Sequence, residues 1–426
     1  VPSSLGWIDF SSEHRDRVKT VLDLLATPGV IDELGIGVIR DAFADLLFPG
    51  ISTIQTRAKY FLIIPRIMKD YEQLSDRQRS SLSMADYLSQ REIQCRIRLV
   101  QKYGKKDSLG IIGVSFGTRE DREVQRQPSS VYWNGLRAFG ILKTDLSLAE
   151  FCHWYGGHRS RPRMLLEETR EERGDDTDAD DIAMSPITRP PEAEYWLDRL
   201  TITLSKEEGE FLHQLMAAAQ PDSLLGQIMM DDRALGQFLA LRENATFDEL
   251  ADLPFVAHLA DRRLRKIVRF AKLFWELLLG AHVRYNCLLQ ERFGEEALRR
   301  EYARRWSDWR HQMRTFPWNE WDTGMMWEMV VGNGGQIKSH TRAFIDKWIE
   351  LTRRPPSNNS DFDNCVIKQE RANKRTRARL RPDNRDEQVR DWIGIGALNY
   401  RLPQARRIVN DIHRAETGKA DASAGF

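Results

Sequence analysis

"DLLFPGISTIQTRAKYF" (residues 45–61) reads as two helices joined by a tight corner. Pro49-Gly50 stops the first, Ser52 caps the second, and Ile54, Ala58 and Phe61 form an inner stripe at helical spacing. In that projection Gln55, Thr56 and Lys59 point outward and Arg57 lies on the flank, where such groups hydrogen-bond bases or phosphates. The connection Phe48-Pro49-Gly50-Ile51 suits a helix-turn-helix, but an ordinary corner between two core helices has the same pattern.

Working outward, helical signals dominate. "SSEHRDRVKTVLDLLATPG" (11–29) has Ser caps, apolar residues at Val18, Leu22 and Leu25, and a Pro28-Gly29 stop. "GIGVIRDAFADLLFPG" (35–50) sets Ile39, Phe43, Leu46 and Leu47 on one face. Pro65 is expected to bend or restart the helix after the corner. Residues 76–103 suggest a helix or helix pair, and "GIIGVSFGT" (110–118) a strand or a glycine-rich loop. Pro128 starts a short helix that Gly140 closes, with Ile141 and Leu142 completing a Schellman-type stop. Ser205 and Glu208 have capping-box spacing, and long helices follow at 261–292 and 295–314.

These elements make the chain mainly α and multi-helical, with a helix-turn-helix-like N-terminal domain (1–167) and a larger C-terminal helical part. Between them, 168–192 is acidic, poor in large apolar residues and punctuated by Pro186, Pro190 and Pro191, the composition of a disordered linker. A central helical domain (193–354) and a basic C-terminal segment (355–426) packing back on the helices complete the expected organisation.

The 426 residues, 41% of them hydrophobic, suffice to bury a core without disulfides. Cys95, Cys152, Cys287 and Cys365 share no zinc-ribbon or disulfide spacing, so a reducing cytoplasm is expected. The start has no secretory leader pattern, and the most apolar run, "KLFWELLLGAHV" (272–283), is too short and too charged for a membrane span.

The net charge of +1 conceals segregation: 171–181 carries seven acids against Arg173, and 368–381 carries seven bases against Glu370. In the basic segment Lys368, Arg371, Lys374 and Arg375 have helical spacing, and Arg377, Arg379 and Arg381 extend the charge. Phosphate neutralisation is one use for such a run, and docking on an acidic protein surface, the 171–181 stretch included, is the other. A second cationic stripe runs along the long helix at Arg262, Arg265, Arg269 and Lys272, with Lys266 at its margin; it serves DNA contact or is a solvated face paired to carboxylates. Tyr302, Trp306 and Trp309 alternate with arginines, but aromatics at helical spacing more often form core than a base-stacking platform.

Catalytic signatures are scarce. No phosphate-binding glycine loop, GxSxG or HExxH occurs. Cys152, His153 and His158 lack a usual zinc spacing, and Asp41 and Asp45 share a helix face that suits a solvated carboxylate pair, or partners for Arg40 and Arg57, better than a nuclease metal. No cofactor is expected.

Several stretches resemble a bacterial family, that of domain of unknown function 6361: "LGWIDFSSEHR" (5–15), residues 32–65, "PSSVYWNGLRAFGI" (128–141), and "RARL" (377–380) with "LNYRLPQARRIVNDI" (398–412). The family has no assigned activity, so no residue role carries over. Its members look like components of bacterial genome-defence islands, found near helicases and phospholipase-D-like nucleases. The resemblance and the basic features together imply a non-catalytic, DNA-binding and complex-forming subunit of an anti-phage system, with those enzymes as partners. A regulatory subunit that docks without touching DNA, and a metal-dependent nuclease using Asp41 and Asp45, are the alternatives.

Overall fold

The computed structural model describes residues 32–122, 124–157, 185–191, 195–332, 336–356, 358–384 and 392–419. The helix expected at 11–29 lies outside them. In chain order the helices are α1 (Gly37–Leu47), α2 (Tyr60–Glu72), α3 (Asp76–Ser81), α4 (Met84–Tyr103), α5 (Pro128–Ala138) and α6 (Leu148–Gly157). Then come α7 (Lys206–Ala219), α8 (Leu224–Met230), α9 (Asp232–Ala240), α10 (Phe247–Ala251), α11 (Pro254–Ala257) and α12 (Arg262–Phe293). The last are α13 (Glu296–Gln312), α14 (Thr323–Gly332), α15 (Ser339–Arg353), α16 (Ser360–Lys374) and α17 (Leu402–Thr417). The protein is mainly α; among the described residues there is no strand, and residues 107–109 and 114–116 form single 3₁₀ turns.

Two compact units result, each discontinuous in sequence: residues 1–47 with 241–402, and residues 48–240 with 403–426. In the first, α12 is the central helix, buried from Ile267 to Gln290 except along one half-exposed stripe through Arg269, Lys272, Glu276 and Leu279 and at Leu288. That burial explains the apolar run at 272–283. Gly280 lets α13 approach, since a Cβ there would lie 2.1 Å from the Trp309 indole. Trp309 donates to the Glu276 carbonyl at 2.8 Å, Trp348 of α15 donates to the Leu277 carbonyl at 2.9 Å, and Trp306 stacks on Trp309 at 5.1 Å between centroids. These tryptophans are core: the N–H groups of Trp309 and Trp348 are satisfied by carbonyls of the central helix, and that of Trp306 by Asn359 Oδ1 at 3.2 Å.

In the second unit α2 is buried over most of its length and packs on α4 and α5. Pro65 does not restart it: the helix runs on through the proline, because a tightly packed helix tolerates one lost N–H donor. Residues 76–103 form the helix pair α3 and α4. The stop after α5 is of Schellman type: Gly140 has φ +66°, and the Ile141 N–H reaches the Leu136 carbonyl at 2.9 Å. Ser205 and Glu208 form the expected capping box at the start of α7.

Of the expected disordered linker, residues 168–184 and 192 lie outside the description, but 185–191 are held in the second unit. Lys143 N–H donates to the Pro186 carbonyl at 2.8 Å, Thr188 N–H to the Ile141 carbonyl at 2.8 Å, and Arg66 to the Pro191 carbonyl at 2.9 Å.

Candidate nucleic-acid interface

The corner at 45–61 is not two helices around a tight turn. After α1 the chain stays irregular from Phe48 to Lys59, and α2 begins only at Tyr60. β-branched Ile51, Thr53, Ile54 and Thr56 weaken helix propensity, and side chains satisfy the backbone instead. Tyr132 Oη accepts from the N–H groups of Thr56 and Arg57 at 2.8 and 3.0 Å, and Asp411 Oδ2 accepts from Ala58 N–H at 3.0 Å.

The expected display of Gln55, Arg57 and Lys59 is therefore corrected: all three are buried. Gln55 donates to the Gly50 carbonyl at 2.9 Å, and Arg57 Nε pairs with Asp411 Oδ2 at 2.9 Å. Lys59 Nζ pairs with Glu208 Oε2 at 2.6 Å, and Arg66 pairs with the same carboxylate at 2.7 Å. Burial pushes the Glu208 carboxyl up, but Lys59 and Arg66 outweigh it and hold it below its ordinary value.

The stripe on α12 is largely occupied as well. Arg269 pairs with Glu320 and Lys272 with Asp252, each at 2.6 Å, and Arg265 donates to the Leu259 carbonyl. Arg262 and Lys266 remain exposed, and among the described residues neither has an ion-pair partner. Arg262 lies about 30 Å along the helix from His282, at a rise of about 1.5 Å per residue.

The basic segment splits. α16 buries Phe362, Val366, Gln369 and Glu370 and exposes Lys368, Arg371 and, at its C-cap, Arg375. Lys368 and Arg371, three residues apart, stand on one face of the helix, and Arg375 follows at its C-terminal end. Arg371 donates to the Leu380 carbonyl at 2.9 Å but, like Lys368, Arg375 and exposed Arg377, has no carboxylate partner among the described residues. Lys374 turns inward, contrary to expectation, onto Glu33 at 3.3 Å. Glu33 is 1% exposed, and this burial raises its pKa although Lys374 opposes the shift. Arg379 is half-buried, and Arg381 pairs with Asp383 at 3.4 Å.

Glu370 appeared in the sequence only as the acid within a basic run. It is fully buried and accepts from Arg379 N–H at 2.7 Å, Leu380 N–H at 3.0 Å and Tyr285 Oη at 2.9 Å. It thereby folds the arginine-rich turn after α16 against α12.

The neighbouring helix α15 adds cations that the sequence did not single out. Lys338 occupies its N-cap position without a side-chain cap, and its first turn holds no acid. The His340 imidazole is held below its ordinary pKa by burial first and then by Lys338 and Arg375, so both cations act on this one ring. Lys347 and Lys368 both act on the Cys365 thiol. An uncapped helix start with flanking cations favours anions. The short string "KSHTR" (338–342), basic residues at a helix start without an acid, was the available signal.

The other candidates hold no site among the described residues, where no cluster of His, Cys, Asp and Glu is suited to a metal. His158 lies outside the description. Asp41 pairs with Arg40 at 2.9 Å, and Arg401 bridges Asp45 and Asp41, where Arg57 had been the expected partner. The four cysteines are free thiols, and among the described residues no helix is long and apolar enough to cross a membrane.

Comparison with curated proteins and with solved structures finds no match. One family model matches residues 2–416, nearly the whole chain: the chain belongs to the family of unknown function DUF6361.

Proposed function

We propose that the chain binds nucleic-acid phosphates through the α15–α16 surface of its first unit, as a non-catalytic subunit of a defence complex. The observation that carries the proposal is the exposed face of α16, where Lys368 and Arg371, with exposed Arg375 at the helix's C-terminal end, have no carboxylate partners among the described residues. Lys338 and His340, at the uncapped start of α15 beside Arg375, extend the field. Such a surface neutralises phosphates without reading bases. Arg262 and Lys266 on α12 are a second exposed basic patch of the same unit. The anti-phage setting and the helicase or nuclease partners rest on the family resemblance, and the cytoplasmic setting on cysteines without disulfide spacing. Asp41 and Asp45, already engaged by Arg401, weigh against the metal-dependent nuclease.

The test is fluorescence anisotropy on a duplex of about 30 bp across a salt series, with K368E/R371E/R375E beside the unaltered chain. Wild-type affinity is expected to fall steeply with salt, and the triple reversal to weaken binding and flatten the slope by roughly one unit per lost contact. Unchanged binding in a folded triple variant would overturn the proposal. Co-purification with a helicase or nuclease without intrinsic DNA affinity would replace it with the docking role.

A further inference from the structure

The stretch 299–318 interleaves arginines with aromatic residues, and the fold withdraws most of those rings: Tyr302, Trp306 and Trp309 are buried. Trp318 is not. It stands half-exposed in the turn 316–321 between α13 and α14, and its indole N–H has no partner among the described residues. Its neighbours spend theirs inside the protein, Trp321 on Thr323 Oγ1 at 3.0 Å and Trp327 on Asp346 Oδ1 at 2.9 Å. The turn itself is firmly held. Phe316 and Trp321 are buried, Trp321 lies 5.5 Å from Phe270 of α12 between centroids, and the Glu320 N–H reaches the Pro317 carbonyl at 2.9 Å. Phe316 backs the Trp318 ring at 4.6 Å.

Cations gather around this ring. The Arg353 guanidinium, at the end of α15, lies 5.7 Å from the Trp318 centroid, and Arg314 sits in the 3₁₀ turn 313–315 that leads to Phe316. Burial first and then Arg314 hold the Arg310 guanidinium below its ordinary pKa. Glu320, two residues after Trp318, is taken by Arg269 of α12 at 2.6 Å. Lys266 and Arg262 precede Arg269 by three and seven residues, so they continue from it along one side of α12 within about 10 Å. Arg262, Lys266, Arg314, Arg353 and Arg354 are exposed, and none pairs with a carboxylate among the described residues, exposed Asp308 of α13 included. Helix dipoles favour cations at the ends of α13 and α15, which accounts for Arg314, Arg353 and Arg354 without a ligand. They account neither for the ring among them nor for Arg262 and Lys266 near the start of α12, where a dipole disfavours positive charge.

We propose that Trp318 is a stacking platform for an unpaired base of single-stranded nucleic acid, with Arg314, Arg353, Arg262 and Lys266 on the neighbouring phosphates. A ring with unpaired cations suits that ligand, since every base has a face to stack and every link a charge to neutralise. The base takes the ring face over which Arg353 lies, and that flexible side chain turns to a phosphate. Arg353 is about 20 Å along α15 from Lys338, so this surface is separate from the one assigned to phosphates of a duplex. For the class of its ligand it rests on the function proposed above.

Fluorescence anisotropy on the full chain tests this, with a labelled oligothymidylate of about 15 nucleotides beside the duplex. Trp318→Ala, its folding checked by its melting temperature, should weaken the single strand about tenfold and leave the duplex unchanged. Trp318→Phe should keep most of the affinity. R314E/R353E and R262E/K266E should each weaken the single strand and flatten its salt dependence. Absence of single-strand binding by the unaltered chain, or binding that survives folded Trp318→Ala, would overturn the inference while leaving duplex binding through Lys368 and Arg371 in place. An equal loss on the duplex, charge reversals without effect, or displacement by polyglutamate as effective as by an oligonucleotide of equal charge would overturn it too. Single-strand binding lost in Trp318→Ala, in a chain that binds no duplex, would support it and remove the duplex-binding role of α16.

Discussion

Lys59 Nζ lies 2.6 Å from Glu208 Oε2, with 5% and 6% of their side chains exposed. Arg66 reaches the other oxygen at 2.7 Å, and Ser205 N–H donates to Oε2 at 2.7 Å. One carboxylate thus closes the capping box of α7 and neutralises two buried cations from the 51–66 region. Removing one partner of such a group leaves the others uncompensated in a medium that solvates them poorly. Glu208→Gln is expected to destabilise the chain by about 3–5 kcal/mol, by urea denaturation, although Gln preserves the size of the side chain. The loss should be largest, and constant, above the ordinary carboxylate range, and shrink below it. Because the folded-state pKa of Glu208 is depressed, its contribution is present above the unfolded pKa and lost as pH falls through the folded one. A change within 1 kcal/mol at pH 7 would show that the cluster is solvated.

The Glu92 carboxyl has the opposite sign. Burial raises its pKa from 4.5 to about 8, against which the Ser129 N–H is a smaller influence. Its contribution is therefore fully present below about pH 4.5 and declines as pH rises toward 8, where the folded protein must bury a charge. Glu92→Gln should remove that decline, so that the melting temperatures of variant and wild type diverge between pH 5 and 8 with the variant higher at pH 8. Parallel profiles would show that Glu92 ionises freely in the folded state.

Elements fixed by local chemistry were legible in the sequence. Pro128, Gly140 and the Ser205–Glu208 spacing fixed the ends of α5 and the start of α7, and the apolar pattern gave α12 within a residue or two. The exposure of 51–59 was not legible, because helical projection presumes a helix. What prevents one is Tyr132 and Asp411, acceptors far along the chain whose approach no local window contains. Lys374 and Lys368 likewise belong to one basic run but not to one surface. One meets Glu33, which the sequence places more than 300 residues earlier, and the other meets solvent.

That difference separates basic residues expected to matter for binding from those expected to matter for folding. Arg57→Met should destabilise the second unit by leaving Asp411 without its guanidinium, by about 3 kcal/mol, yet leave DNA affinity unchanged where the variant is folded. Lys368→Glu, on an exposed position, should change stability by less than about 0.5 kcal/mol and still lower affinity. Anisotropy and urea denaturation on both variants distinguish the two roles. Weakened binding in folded Arg57→Met, without an effect of Lys368→Glu, would return the interface to the 45–61 corner.

Glu370 joins the two concerns, because its carboxylate determines how the arginine-rich turn leaves α16. Arg375 lies in the left-handed region at φ +54°, a conformation that non-glycine residues adopt only when their surroundings compel it. The compulsion comes from the following residues: Arg379 and Leu380 donate their N–H groups to Glu370, and Ala378 and Leu380 are buried. Glu370→Ala leaves two backbone donors and the Tyr285 hydroxyl without their acceptor, at about 1–3 kcal/mol for each group that stays buried. The turn should relieve that cost by opening. Hydrogen exchange is therefore expected to accelerate across 375–384 but not across α16 up to Glu370, and DNA affinity to retain the Lys368 and Arg371 contribution while losing that of Arg375. Unchanged protection of Arg379 and Leu380 would show that the apolar contacts of Ala378 and Leu380 hold the turn without the carboxylate.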